Sequence, residues 1–246
     1  MTNCLSFLGL DTDCNAHEIG DKMLKISKGI TAVLQKDIKS EFKTRYSIST
    51  LLLFVLTAVT MLGFSLAGVE PNTGQSSGLL WVIMFFAAMT GLSKSFISEE
   101  ERETSLLLKL TSSPTNVYFG KLIFNILLSL VISIATCLLF FLFAPAAKLN
   151  NLAGFTITII LGALGLASAS TIISAMIAKA SAKGALFPVL SFPILLPLII
   201  VGIDSTTMSF EGKSLSEISD NFQIMLGYCG AVISLSFILF EFIWKD

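Results

Sequence analysis

The chain has 246 residues, of which 54% are Ala, Val, Ile, Leu, Met, Phe, Trp, Tyr or Cys and only 13% are charged, with a formal net charge of -1. That charged share is roughly half the ~25% of a soluble domain, and mean hydropathy is +0.82. The balance excludes a disordered chain, argues against a soluble globular enzyme, and lacks the basic surplus of a nucleic-acid binder. The expected class is an all-α integral membrane protein.

In chain order, residues 1–22 contain an apolar run too short for a secretory signal core, followed by acidic residues. They are expected to be a disordered extension, with Met23 an alternative start and residues 23–246 forming one transmembrane domain. From Ile19 onward, Ile19, Met23, Ile26, Ile30, Val33 and Leu34 fall on one helical face, and Lys22, Lys25, Lys28, Lys36, Lys39 and Lys43 on the other. This pattern predicts an N-terminal amphipathic helix in the membrane interface, its lysines toward anionic lipid headgroups. A soluble helix docked on a partner is the alternative. Asp37 lies on the apolar side and marks a break before the first span.

A membrane-spanning helix needs about 20 mainly apolar residues, with its backbone bonds made internally. Six stretches qualify, at 48–66, 79–97, 117–143, 153–178, 184–203 and 224–243. Of the sixteen Lys and Arg, fourteen fall on the side of the N-terminus, and only Lys148 and Lys213 on the other. Basic residues are retained in the cytoplasm, so both termini are expected there.

The connection after the second span is the most informative stretch. Ser98 followed by Glu101 suggests a capping box, and Glu99, Glu100, Glu101 and Glu103 around Arg102 suit the positive end of a helix dipole. Leu106, Leu107, Leu108 and Leu110 then give an apolar surface, so one short helix over 99–110 is expected, acidic first and apolar later. A solvated loop is the alternative, but leucines so dense suit docking better than water. Ser113 and Pro114 read as N-cap and first residue of the third span. In the fourth span Ala163, Ala167, Ser170, Ser174 and Ala178, with Gly162 and Gly165, allow close helix packing within the subunit or across a dimer. Pro188, Pro193 and Pro197 should kink or break the fifth span, for packing or to line a pathway.

No catalytic constellation appears. Gly120-Lys121 has no upstream P-loop glycine, and Cys4, Cys14, Cys137, Cys229 and His17 form no metal-binding spacing. Lys94, Lys121 and Glu241 lie near span ends, where they are expected to snorkel to the interface. The residues themselves therefore point to no enzymatic role.

Six spans, an interfacial N-terminal helix and a Glu-rich helix after the second span resemble the membrane subunit of an ABC-2-type transporter. Glu101-Arg-Glu-Thr-Ser-Leu-Leu-Leu-Lys-Leu110, then Ser113-Pro114 and Gly120-Lys121, is similar to that group's acidic–leucine–proline–Gly-Lys pattern, with Thr104 where a glycine is usual. Gly78-Leu-Leu-Trp81, Pro193 and Pro197, and the compact length resemble the cytochrome c maturation protein B, or heme exporter protein B, family from about Lys28 onward. The resemblance implies a multi-pass protein of the bacterial inner membrane. It also implies a partner ATPase, maturation protein A, that binds and hydrolyses ATP. Further partners are maturation proteins C and D, the periplasmic heme chaperone E, membrane lipids and a second copy of the chain. Docking would use Glu99, Glu100, Glu101, Arg102, Glu103, Leu106, Leu107 and Leu110. Heme would be handled by the complex, with no cofactor held here, since Trp81 and Trp244 are far apart and no span contains histidine. ATP hydrolysis would then drive heme delivery or release of the loaded chaperone. An ABC-2 exporter subunit for a lipid or drug, and a non-transporting membrane scaffold, are the competing readings.

Overall fold

The computed structural model describes residues 27–41, 45–66, 71–101, 104–143, 149–178 and 183–245, with the side chains of all but 45–48, 101, 105–107, 183–185 and 245. The 1–22 extension lies outside these residues, as do Ile19, Met23 and Ile26 of the amphipathic helix. Among the described residues every regular element is α-helical: α1 (27–41), α2 (Arg45–Ser65), α3 (Thr73–Leu92), α4 (Lys94–Glu101), α5 (Ser105–Thr111), α6 (Pro114–Phe143), α7 (Leu152–Ile177), α8 (Lys183–Glu211) and α9 (Leu215–Lys245). Five stretches are long and apolar enough to cross a membrane: Thr73–Glu100, which runs through α3 and α4, then α6, α7, and the greater part of α8 and α9. A shorter apolar helix, Ser49–Ser65, accounts for most of α2.

Helix α7 is the centre of the bundle. It packs most extensively on α8 and α9, then α6, with α3 and α4 also against it. Its small residues explain why. Ala163, Ala167, Ser170, Ser174 and Ala178 are all buried within this one chain, so the small face is an internal packing surface. A β-carbon on Gly165 would stand 2.5 Å from Leu198 Cδ2 of α8, and one on Gly162 would stand 2.5 Å from the Trp81 ring of α3. Trp81 is wholly buried and donates from Nε1 to Thr206 Oγ1 at 2.9 Å. Phe141, Phe155 and Phe210 form a further group of ring contacts, Phe155 stacking on Phe210, and Phe85 of α3 meets Phe192 of α8 edge-on.

Several helices outrun their apolar stretches. Helix α3 starts at Thr73 rather than 79 because Asn72 and Gln75 form a reciprocal capping box there. Helix α8 passes residue 203 to reach Glu211, its Thr206, Thr207 and Ser209 hydroxyls donating to carbonyls one turn back. Polar residues that bond inside their own helix do not end it. Gly212, at φ +80°, makes the turn into α9, and Asn150 and Asn151 before α7 donate to Phe210 and Lys213 carbonyls, locking that end of the bundle.

Helix α8 continues through Pro188, Pro193 and Pro197, so the prolines do not break it, and Pro193 and Pro197 lie on its exposed side. Each proline deletes one donor, and the turns above and below keep the helix continuous. Asp37 does not end α1, which continues through it to residue 41.

Candidate functional site

The residues singled out after the second span converge on the place where α3 gives way to α4. Helical hydrogen bonding is interrupted at Ser93, although its backbone keeps helical dihedrals of φ -57° and ψ -31°. The Ser174 hydroxyl of α7 donates to the Ser93 carbonyl at 2.9 Å and accepts the Phe96 N–H at 3.1 Å.

Beside this joint lies an ion cluster. Lys121, in the second turn of α6, is only 1% exposed, and its ammonium donates to Asp37 Oδ2 of α1 (3.2 Å), Glu99 Oε1 of α4 (3.3 Å) and the Ser95 carbonyl (2.7 Å). It also stands 4.9 Å from the centre of the Phe96 ring. Lys36 of α1 pairs with both Asp37 and Glu99, so two cations and two carboxylates close on one another. A buried ammonium is tolerated only when its charge and donors are met, and here all three donors have acceptors. Lys121 therefore does not snorkel. An extended side chain cannot reach the interface once two carboxylates fix its head inside.

Gly120 supplies the room for this cluster. A β-carbon there would lie 2.8 Å from Val33 Cβ and 3.2 Å from the Ile30 carbonyl, so α1 rests directly on the α6 backbone. Val33, read from periodicity as lipid-facing, is buried in this contact. The Gly-Lys pair thus seats α1 with its first residue and ties it with its second.

The single helix expected over 99–110 is two. Helix α4 has begun by Lys94, so Ser98 stands inside a helix and cannot be its N-cap. Thr104 then interrupts the chain, its hydroxyl donating to Glu99 Oε2 at 2.8 Å and its N–H to the Glu99 carbonyl at 3.0 Å. Glu99 is the pivot of this turn as well as of the ion cluster. In α5 the leucines divide: Leu108 is buried in the bundle, whereas Leu110 is 77% exposed. Lys109 stands over the Trp244 ring of α9 at 5.7 Å, and a cavity of about 50 Å³ between them is lined by Phe96, Glu100, Ala178 and Ile243 among others. The side chains of Glu101, Leu106 and Leu107 lie outside the described residues, as do Arg102 and Glu103 altogether. Pro114 does open α6, with the Asn116 N–H directed at Ser113 Oγ (3.4 Å) and the Val117 N–H at the Ser113 carbonyl (3.2 Å).

Sequence reading missed the Asp37–Lys121 pair and Ser174 as a cap. The signal for the first was present: a lone acid on an apolar face, and a Gly-Lys pair inside a span, each call for a partner.

These features define a polytopic helical membrane protein whose amphipathic α1 and connecting α4 are fastened to the second turn of one span. A family model, the CcmB protein, matches residues 28–241. The chain belongs to that family, the heme exporter protein B family, and is a membrane component of heme export. No curated protein matches the chain.

Proposed function

We propose that this chain is the membrane subunit of an ABC transporter complex for cytochrome c maturation. A partner ATPase, maturation protein A, docks on α5, and its ATP-driven movement serves heme delivery or release of the heme-loaded periplasmic chaperone. In this reading α2 is the first of six spans, both termini are cytoplasmic, the membrane is the bacterial inner membrane, and maturation proteins C, D and E complete the assembly. The observation that carries it is the division of α5: Leu108 anchors the helix to the bundle while Leu110 is presented outward. A helix held on one side and offering leucine on the other suits a subunit that lacks its own span and must grip through contacts at the membrane surface. Glu99 is engaged within the chain, so the rim charges of this docking surface are Glu100, Glu101, Arg102 and Glu103, with Leu106 and Leu107 beside Leu110.

Truncating buried interface anchors commonly costs about 2 kcal/mol or more. Leu106→Ala with Leu110→Ala is expected to release the ATPase from membranes while the chain itself is recovered at normal yield. Retention of the ATPase by this variant, with cytochrome c still matured, would place docking elsewhere.

A further inference from the structure

Ser174 occupies a position that the backbone of the α3–α4 helix would fill by itself. In an unbroken helix the Phe96 N–H donates to the Leu92 carbonyl four residues back. Here the helix is interrupted at Ser93, and that N–H goes instead to Ser174 Oγ at 3.1 Å, while the same hydroxyl donates to the Ser93 carbonyl at 2.9 Å. A side chain inserted into the hydrogen-bond ladder is one of the few established causes of a helix kink. The inserted group comes from α7, the most enclosed helix, so one side of the joint is held to a fixed reference. On the other side the Lys121 ammonium holds the Ser95 carbonyl at 2.7 Å.

We propose that the segment Ser93–Phe96 is a hinge with two hydrogen-bonding states and that Ser174 is the positioning residue that selects the one observed. In the alternative state the Phe96 N–H returns to the Leu92 carbonyl and α4 continues the line of α3. The Ser174 hydroxyl then bonds the Ser170 carbonyl one turn back in α7, an acceptor that helical serines readily use. The two donors that exchange, the Phe96 N–H and the Ser174 hydroxyl, each have an acceptor in both states, so the exchange itself orphans neither of them in the membrane, which is the usual obstacle to movement there. Glu99, at the far end of α4, carries the swing to α1 through Lys121 and Lys36, and to α5 through Thr104. The proposal rests on the ATPase reading only for the source of the force.

The test places spin labels at Ser98 of α4 and Val131 of α6, in a chain with its native cysteines replaced, reconstituted in lipid nanodiscs without ATPase. Ser174→Ala is expected to close the ladder and shift the interlabel distance by about 3 Å, the displacement that a ~20° kink gives across one to two helical turns. Ser174→Thr, which keeps the hydroxyl, is expected to retain the parent distance. In cells, heme export should fall about tenfold for Ser174→Ala, the scale of one hydrogen bond's net free energy, and recover with Ser174→Thr. An unshifted distance in Ser174→Ala, or a shift with full export, overturns the proposal. Hydrogen exchange of the 93–97 amides in the unsubstituted chain is a check that needs no folded variant. Faster exchange than the 84–90 amides supports the hinge, and equal protection overturns it. Should α5 not be the docking element, the leucine variant keeps its ATPase while Ser174→Ala still shifts the distance, so the two failures read apart.

Discussion

At the scale of single residues, Lys121 has the most consequence. It is surrounded by Asp37, Glu99 and the Ser95 carbonyl, and removing its charge leaves two carboxylates with only Lys36, which is 42% exposed, to balance them. Breaking a buried ion pair by deleting one partner costs about 3 kcal/mol or more. Lys121→Met is therefore expected to lower the thermal midpoint of the purified protein in detergent markedly. Lys121→Arg, which keeps the charge, should lower it less, and equal midpoints for Met and the parent would show that the cluster contributes nothing to stability. This cluster was only half legible beforehand. Gly120-Lys121 could be seen as a motif, but Asp37 lies 84 positions away, and local periodicity carries no information about which distant charge meets which. A lone acid on an apolar face therefore looked like a terminator, when its partner had made it an interior residue.

At the scale of elements, helix identity was well marked and helix ends were not. Apolar content is a local property, so six stretches could be read directly; five coincide with helices long enough to span, and the one at 48–66 coincides with the shorter apolar helix Ser49–Ser65. The ends depend on side chains that bond the backbone, such as the Asn72–Gln75 box, and these sit in segments too polar to register as membrane. The three prolines of α8 read in the sequence as residues that kink or break the helix. A proline removes one ladder bond and crowds the turn before it, yet α8 continues through all three. An interior proline costs about 3 kcal/mol relative to alanine in a water-soluble helix, with neighbouring groups reducing that in membranes. Pro193 is exposed on the outer side of α8, so Pro193→Ala is expected to raise the thermal midpoint without altering helix content by circular dichroism. A fall in the midpoint would show that α8 depends on a bend at this position.

At the scale of the whole molecule, the arrangement is a core of α7 with α3, α6, α8 and α9 around it, and α1, α4 and α5 gathered at one end. The helices of that end meet through Lys121, Glu99 and Trp244, and the opposite end is closed by Asn150, Asn151 and Gly212. In the topology proposed above, from the distribution of lysine and arginine, the first end faces the cytoplasm and the second the periplasm. Reporter fusions after Lys183 and Asp246 are accordingly expected to register cytoplasm, and a fusion near Lys213 periplasm. The inverse pattern would overturn the topology and, with it, docking of an ATPase on α5.

Trp81 brings a further consequence, for how this sequence is free to vary. Its ring sits between Gly162 and Gly202, where added β-carbons would approach it to 2.5 and 2.1 Å. The three positions belong to three different helices, yet none of them is free to change alone. Alanine at either glycine strikes the indole, and a small residue at 81 opens a void between two bare backbones and leaves Thr206 without its donor. Drift through the family should therefore pass these positions together or not at all, a bulky ring with two glycines or a modest side chain with two larger neighbours. Such a compensating triplet would be visible as joint substitution in an alignment of relatives, even where the rest of each helix has diverged.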